Sequence, residues 1–466
     1  MDGKRVTAEQ ILAAIGTDVE RMAQKVADAL NGAEAGAIID QSEEPVRDAL
    51  AELRQHTYQK AIDLLSESQQ AFSPSGRRAP TGWRNKGRQA TTHLTMNGRL
   101  TVKRTVLWHR QQGTAVPLDR FLGIEYGAYS RGVREVCCRE SLNVAFVPAS
   151  ENIKRLAQLD VSSSTVRQIV QGQGAVLSRA QHIGQAGPDF TASACTDQTV
   201  IVGADGVMVP QVTETQKQKR RATEASKRKR QRRKSTARAA RPRKGSDGPY
   251  KEFKIVAFYD ADKTHQYVMG TSGNHETAGR LLRQIGRQLE IATAKTAYSV
   301  SDGAPWILKQ LQIQLPMLAE NILDFYHFRE HLIKTGQELF GEGTAAATAW
   351  KDKMITVGLE QGSLVLLDRL GECLTTTTEA QKQQALNAVR DYIAKRVAMT
   401  DYPAFVEQGY DIGSGPTESF CGCLTSRLKG SGMRWDKDNA EAVMGLASLY
   451  YSNQWDNYWK IRKSAA

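Results

Sequence analysis

Between Thr199 and His327 the chain carries an order of elements that few folds can hold. Thr199–Pro210 is an apolar, β-rich run interrupted by Asp205-Gly206. Glu252–Tyr259 and His265–Gly270 read as two more strands, parted by an Asp-Ala-Asp-Lys turn. Residues 276–291 show the apolar spacing of an amphipathic helix. Thr296–Ser301 is a fourth strand that ends in Asp302-Gly303-Ala304, and a helix follows through Leu311. Ile322–Phe325 reads as a fifth, short strand, leading into Asp324-Phe325-Tyr326-His327.

Three strands, a helix, a strand, a helix and a strand is the order of a ribonuclease-H-like α/β core. In that fold the first and fourth strands are neighbours, so Asp205 and Asp302 can meet at one level. Around this core the chain reads as a multidomain α+β protein. Residues 1–72 form an N-terminal helical region, with helical apolar spacing over 7–31 and again over 43–72. Residues 73–128 are a linker and β-hairpin region. Its first part, 73–91, is rich in Ser, Gly, Pro and Arg, and Thr92–Met96 then pairs with Arg99–His109 across Asn97-Gly98, a favoured two-residue turn. Residues 129–190 carry a helix-turn-helix pattern: a helix over Ser150–Asp160, a turn through Val161 and serines, and a second helix from Thr165. This places Ser163, Ser164, Thr165, Arg167 and Gln168 near a DNA groove, although any pair of antiparallel helices shows a similar pattern. Residues 191–327 are the first part of the core, 328–410 an all-helical insertion, and 411–466 a C-terminal catalytic helix and tail.

Charge is concentrated in an insert between the first two core strands. The chain carries a net charge of +13, and residues 217–244 hold fifteen Lys/Arg against one acid, Glu224. The rest of the chain is therefore near neutral. The densest part is Lys227, Arg228, Lys229, Arg230, Arg232, Arg233 and Lys234. Such a run is expected to be disordered when free and to bind a polyanion, the plainer reading being a solubilising loop. The six cysteines include no Cys-x-x-Cys pair, so neither a zinc site nor a disulfide framework is expected. No apolar run approaches the ~20 residues of a membrane span, and the N-terminus lacks a signal-peptide core. The expected place is the cytoplasm, at the nucleoid, away from any membrane.

The last informative stretch is Asp411–Trp435. Pro416 suits a first helical turn, and Glu418 suits the positive end of the helix dipole. Phe420, Leu424 and Leu428 recur every fourth residue, and Arg427, Lys429, Arg434 and Trp435 follow. An acid followed by cations and an aromatic fits a site that holds a metal and grips phosphates, and it also fits an ordinary capped surface helix. Asp-Gly is likewise a common turn dipeptide. The ordered trio Asp205, Asp302 and Glu418 is the more telling feature. Three carboxylates in a polar cleft suit two Mg²⁺ ions, with Mn²⁺ as a substitute, because such ions prefer hard oxygen ligands. Two ions roughly 4 Å apart can clamp an in-line phosphoryl transfer. Asp324 and His327 are expected to support the site or orient the phosphate. Asp197 precedes the apolar run and is a weaker substitute for Asp205. Cys421 and Cys423 lie two apart on a helix, face different ways, and are set aside as ligands.

Together, Asp205-Gly-Val-Met-Val-Pro, Ser301-Asp302-Gly-Ala-Pro-Trp-Ile, Leu323-Asp324-Phe-Tyr-His327-Phe-Arg-Glu-His-Leu and Gly413-Ser-Gly-Pro-Thr-Glu418, with Arg427-Leu-Lys-Gly-Ser-Gly-Met-Arg-Trp435, resemble the Kra family of bacterial insertion-sequence transposases, a DDE group. The resemblance spans about Leu94 to Trp455. It implies a ribonuclease-H-like catalytic domain, a metal-binding triad of Asp205, Asp302 and Glu418, and a helical insertion before the third member. It also implies recognition of terminal inverted repeats through the N-terminal part. Double-stranded DNA, both element ends and target, is the expected partner. Bringing two ends together calls for a dimer or larger assembly. A nuclease or resolvase of the same fold, and a DNA-binding regulator that lost the chemistry, are the other readings.

Overall fold

The computed structural model describes residues 6–68, 81–124, 127–230 and 248–460. The chain is α+β, with a mixed sheet and many helices, and divides into two compact units, Met1–Val170 and Gln171–Ala466. The boundary falls within a helix.

In the first unit, α1 (Ala8–Asn31) and α2 (Ile38–Ser68) pack as the expected helical pair. The Thr7 hydroxyl accepts from Gln10 N while Gln10 accepts from Thr7 N, a reciprocal cap. A three-stranded antiparallel sheet follows: β1 (Trp83–Thr95), β2 (Gly98–His109) and β3 (Gly113–Ala115), in that order. Two expectations are corrected here. Residues 83–91 are strand rather than linker, because β2 is long enough to pair with them, from Trp83 opposite His109 to Thr91 opposite Val102. The hairpin loop is Met96-Asn97, one place earlier than expected. The Thr95 hydroxyl accepts from Asn97 N at 3.1 Å and donates to Gly98 O at 2.8 Å, closing the turn early.

The unit continues with α3 (Pro117–Leu122), α4 (Arg131–Glu140), α5 (Phe146–Ala157) and the start of α6 (Ser163–His182), which runs on past Val170 into the second unit. Gln158 ends α5 in the left-handed region with φ 55°. Ser162 opens α6, its hydroxyl accepting from Thr165 N at 3.3 Å. Helix, tight turn and helix are thus present, with the second helix starting at Ser163. Leu159, Val161 and Val166 are buried in and after the turn.

The second unit is built on a five-stranded sheet of β4 (Thr199–Pro210), β5 (Tyr250–Tyr259), β6 (Gln266–Thr271), β7 (Thr296–Ser301) and β8 (Asn321–Leu323). The order is β6-β5-β4-β7-β8. β5 runs antiparallel to β4 and β6, and β4, β7 and β8 are parallel. Between β4 and β5, the part of the basic run from Lys217 to Arg230 lies in a helix, α7 (Glu214–Arg230), so this part is not disordered as expected. The Thr213 hydroxyl accepts from Gln216 N, and Lys217 pairs with Glu214 and Asp436. Residues 231–247 lie outside the described residues.

Side chains alternate across a strand. Val200, Val202 and Ala204 of β4 face α8 (His275–Gln288) and α9 (Pro305–Gln314), where Leu281, Leu282, Ile285, Ile307 and Leu311 complete a dry core. The odd-numbered residues of β4 face the other way. The helical insertion comprises α10 (Phe325–Phe340), α11 (Ala345–Glu360), α12 (Ser363–Thr376), α13 (Ala380–Ala394) and α14 (Tyr402–Glu407). It starts three residues before the expected 328, because the Asp324 carboxylate caps it, and β8 correspondingly stops at Leu323. The chain then returns through α15 (Gly415–Thr425), α16 (Lys437–Tyr451) and α17 (Trp455–Trp459). Among the described residues no helix is long and apolar enough to cross a membrane.

Candidate active site

The ladder between β4 and β7 runs from Thr199 opposite Thr296 to Gly203 opposite Val300. Two residues further on, Asp205 stands level with Asp302, on the face of the sheet that receives α15. Both are half-buried. Asp205 Oδ1 accepts from Gly206 N, and Oδ2 accepts from the Cys421 thiol at 3.3 Å. Asp302 Oδ1 accepts from Ala304 N at 2.9 Å, which fixes the entry to α9. Burial and the neighbouring Asp302 charge raise the Asp205 carboxyl above its ordinary range. The bonds from Cys421 and Gly206 and the nearby His327 work against that rise. Burial and the Asp205 charge keep Cys421 a thiol.

α15 can lie close to β4 because Gly203 has no side chain: a Cβ there would run into Thr417. Glu418 follows Thr417 and is exposed, and its Oε1 accepts from the Ser414 hydroxyl at 3.2 Å. Cys421 is one helical turn further on. Asp324 is fully buried at the end of β8. It accepts from His327 N at 2.9 Å and from Ser414 N, tying the loop before α15 to the sheet. His327 is half-buried and meets Glu330 at 3.2 Å. His331 lies against Tyr392 with ring centroids 3.7 Å apart, outside this set.

The paired carboxylates are hard oxygen donors, and a cation between them would relieve the repulsion felt by Asp205. Glu418 stands apart on the exposed side of α15. Among the described residues no three His, Cys, Asp or Glu side chains are grouped closely enough to hold one ion. The fit is therefore that of a two-carboxylate cradle, with the third acid a helix turn from the Cys421 contact.

No protein-family model matches the chain, and no curated protein matches it in sequence. Among solved structures it is similar to the Drosophila P element transposase strand transfer complex, at 12% identity and a TM-score of 0.33, over 70% of this chain and 94% of that one. A likeness at that score does not fix the fold.

The residues expected to touch DNA divide. Ser164, Arg167 and Gln168 are exposed on one face of α6, with Ser163 and Thr165 half-buried beside them. Lys227, Arg228, Lys229 and Arg230 lie in the last turns of α7, while Arg232, Arg233 and Lys234 lie outside the described residues. Lys429 and Arg434 are exposed. Arg427 and Trp435 are not available as expected, since each is only 6% exposed. Arg427 sits over the Trp435 ring at 5.0 Å, Trp435 Nε1 donates to Leu428 O at 3.1 Å, and the Trp435 backbone pairs beside Gln211. These two side chains close the loop after α15 on itself, and the Trp435 backbone ties it to the end of β4. Cys421, set aside as a ligand in the sequence, proves to be the residue that touches Asp205. Its signal was its place three residues after Glu418, but which helix face meets Asp205 is settled only by the packing of Thr417 on Gly203.

Proposed function

We propose that this chain is a DNA transposase of the DDE type, which cuts DNA strands at the ends of a mobile element and joins them to a target. One observation carries the reading: Asp205 on β4 and Asp302, directly after β7, each lie two residues past the last pair of one parallel ladder, beneath a helix whose first turn bears Glu418. A mixed sheet with its first strand central, its second antiparallel, and its first and fourth strands parallel neighbours supports a ribonuclease-H-like core. The resemblance to the Kra family points the same way.

In this reading Asp205 and Asp302 would hold Mg²⁺, or Mn²⁺, from the sheet, and Glu418 would join them from α15 once its exposed side chain turns towards the pair. When bound, the metal would supply positive charge for the phosphate oxygens of an in-line transfer. Asp324 fixes Ser414 and, through it, the start of α15. His327 faces the cleft beside Asp205 and orients the phosphate. Lys429, Arg434 and the α7 cations meet the DNA backbone, and Ser164, Arg167 and Gln168 meet the element end. The partner is double-stranded DNA, bound by a homodimer or larger assembly in the cytoplasm.

The test is cleavage and strand transfer on DNA bearing the element's own end, with wild type beside Asp302→Asn, in Mg²⁺ and in EDTA. Metal-dependent cutting and joining by wild type alone is the expected result. Cutting without joining would make the chain a nuclease. Tight binding with no chemistry from either protein would make it a regulator.

A further inference from the structure

The ribbon β1–β2 carries a second charged surface, far along the sequence from the insert in α7. From Glu67 to Asp119 no Asp or Glu occurs, while nine Lys/Arg do. Within the described part, β1 is an edge strand, and every residue from Arg84 to Ala90 is exposed. Arg84 and Lys86 both stand over the Trp108 ring of the paired strand, at 6.0 and 5.5 Å from its centroid. An indole beneath two cations holds them in place without neutralising them. Among the described residues none of Arg84, Lys86 and Arg88 meets a carboxylate, whereas Arg104, on the better-covered strand, pairs with Asp119 at 3.1 Å. The register slips between Asn85 and Arg88, where Gly87 takes φ +88° and its N–H donates to Asn85 Oδ1 at 2.7 Å. Such a bulge increases the local twist.

A twisted two-stranded ribbon is one of the two elements that a DNA major groove admits. Phosphates recur along its walls with one charge per ~1.7 Å of helix axis. We propose that the outer edge of β1, through Arg84, Lys86 and Arg88, is a duplex-DNA backbone site. The cations supply the charge, and the part of the strand edge before Leu94 that is unpaired among the described residues supplies backbone N–H donors besides Gly87. The choice of duplex DNA as the polyanion rests on the transposase reading above. The site itself uses none of the acids and no residue of α6.

The experiment uses the full chain and a labelled DNA duplex, with binding followed by fluorescence anisotropy across a salt series. Wild type is compared with Arg84→Gln/Lys86→Gln/Arg88→Gln and with the charge-preserving Arg84→Lys/Arg88→Lys. Near-ultraviolet circular dichroism checks that each folds. Three lost phosphate contacts should lower the slope of log affinity against log salt by roughly 2–3, at about 0.9 per contact, and the lysine variant should keep the wild-type slope. An unchanged slope in the glutamine variant would overturn the proposal. The cations would then serve only to guard an exposed strand edge, and the transposase reading would be untouched. Failure of wild type to bind any duplex would instead bring down that reading together with this one.

Discussion

Gly203→Ala is the smallest change that separates α15 from the sheet without touching an acid. The added Cβ would stand 2.9 Å from Thr417 Cβ and 3.0 Å from its Cγ2, and closer still to Oγ1. Carbon atoms settle at about 3.5–4.0 Å. The helix must therefore withdraw by at least about 0.5 Å, and by more if Thr417 keeps its rotamer, since a β-branched side chain has little freedom in a helix. Overpacking of this kind costs about 1–3 kcal/mol. Because Glu418 and Cys421 ride on the same helix, the withdrawal also moves both away from Asp205. A misplacement near 1 Å can cost ~100-fold in rate, so cleavage should fall by roughly 10- to 100-fold. The assay is Mg²⁺-dependent strand cleavage, run beside thermal melting. Thr417→Gly in the same chain removes the clashing atoms and should restore much of the rate. Full activity of Gly203→Ala with an unchanged melting temperature would refute the close approach of α15 as the basis of the site.

Glu441 on α16 accepts from the Thr271 and Ser272 hydroxyls and from Ser272 N, and faces His182 Nε2 at 3.3 Å. Burial opposes its charge, but the bonds from His182 and Ser272 prevail and hold the carboxyl at about 2, below its usual 4.5. At about 1.4 kcal/mol per unit this is worth about 3 kcal/mol. The folded value is depressed, so the stability is present above pH 4.5 and is lost as pH falls towards 2. Glu441→Gln should therefore melt lower than wild type at neutral pH, by a margin that narrows below that point, and equal melting at pH 7 would contradict the network. Asp324→Ala leaves His327 N and Ser414 N without their buried acceptor and removes the α10 cap. It should lower stability by about 2–4 kcal/mol in urea unfolding, and a loss under 1 kcal/mol would show that the loop before α15 is held by other means.

The sheet could be read from the sequence because its strands are short apolar runs of β-branched residues, each ended by a turn. Asp205 and Asp302 stood out because each interrupts or ends such a run. Their common level follows from strand order, which the alternation of strands and helices dictates. What the sequence concealed has physical causes too. β1 is a strand whose outward face is Arg, Lys and Gly, so its composition imitates a linker, and only pairing with β2 makes it regular. α7 is so charged that no apolar stripe marks its period. Arg427 and Trp435 follow a helix and are separated by glycines, so no periodicity tells which of the nearby cations turns inward. Burial in that loop is decided by the end of β4, which lies more than two hundred residues earlier in the chain.

Asp324 and Phe325 mark where the helical insertion leaves the sheet, and Ile412 and Ser414 mark where it returns. Phe325 N donates to Ile412 O at 2.9 Å and Ser414 N donates to the Asp324 carboxylate, so exit and re-entry are tied by two hydrogen bonds. Topologically, everything from α10 to α14 is a side branch with a closed stem. Its length does not enter the geometry of the strands, and the entropy of closing it grows only slowly with size. The same sheet could carry a longer or a shorter branch, provided that it kept the stem and two further ties, from Arg396 Nη2 to Gly303 O at 3.3 Å and from the Tyr402 hydroxyl to Leu323 O at 3.1 Å. The chain can thus vary the outer helices of the branch while the residues that touch the strand ends stay fixed.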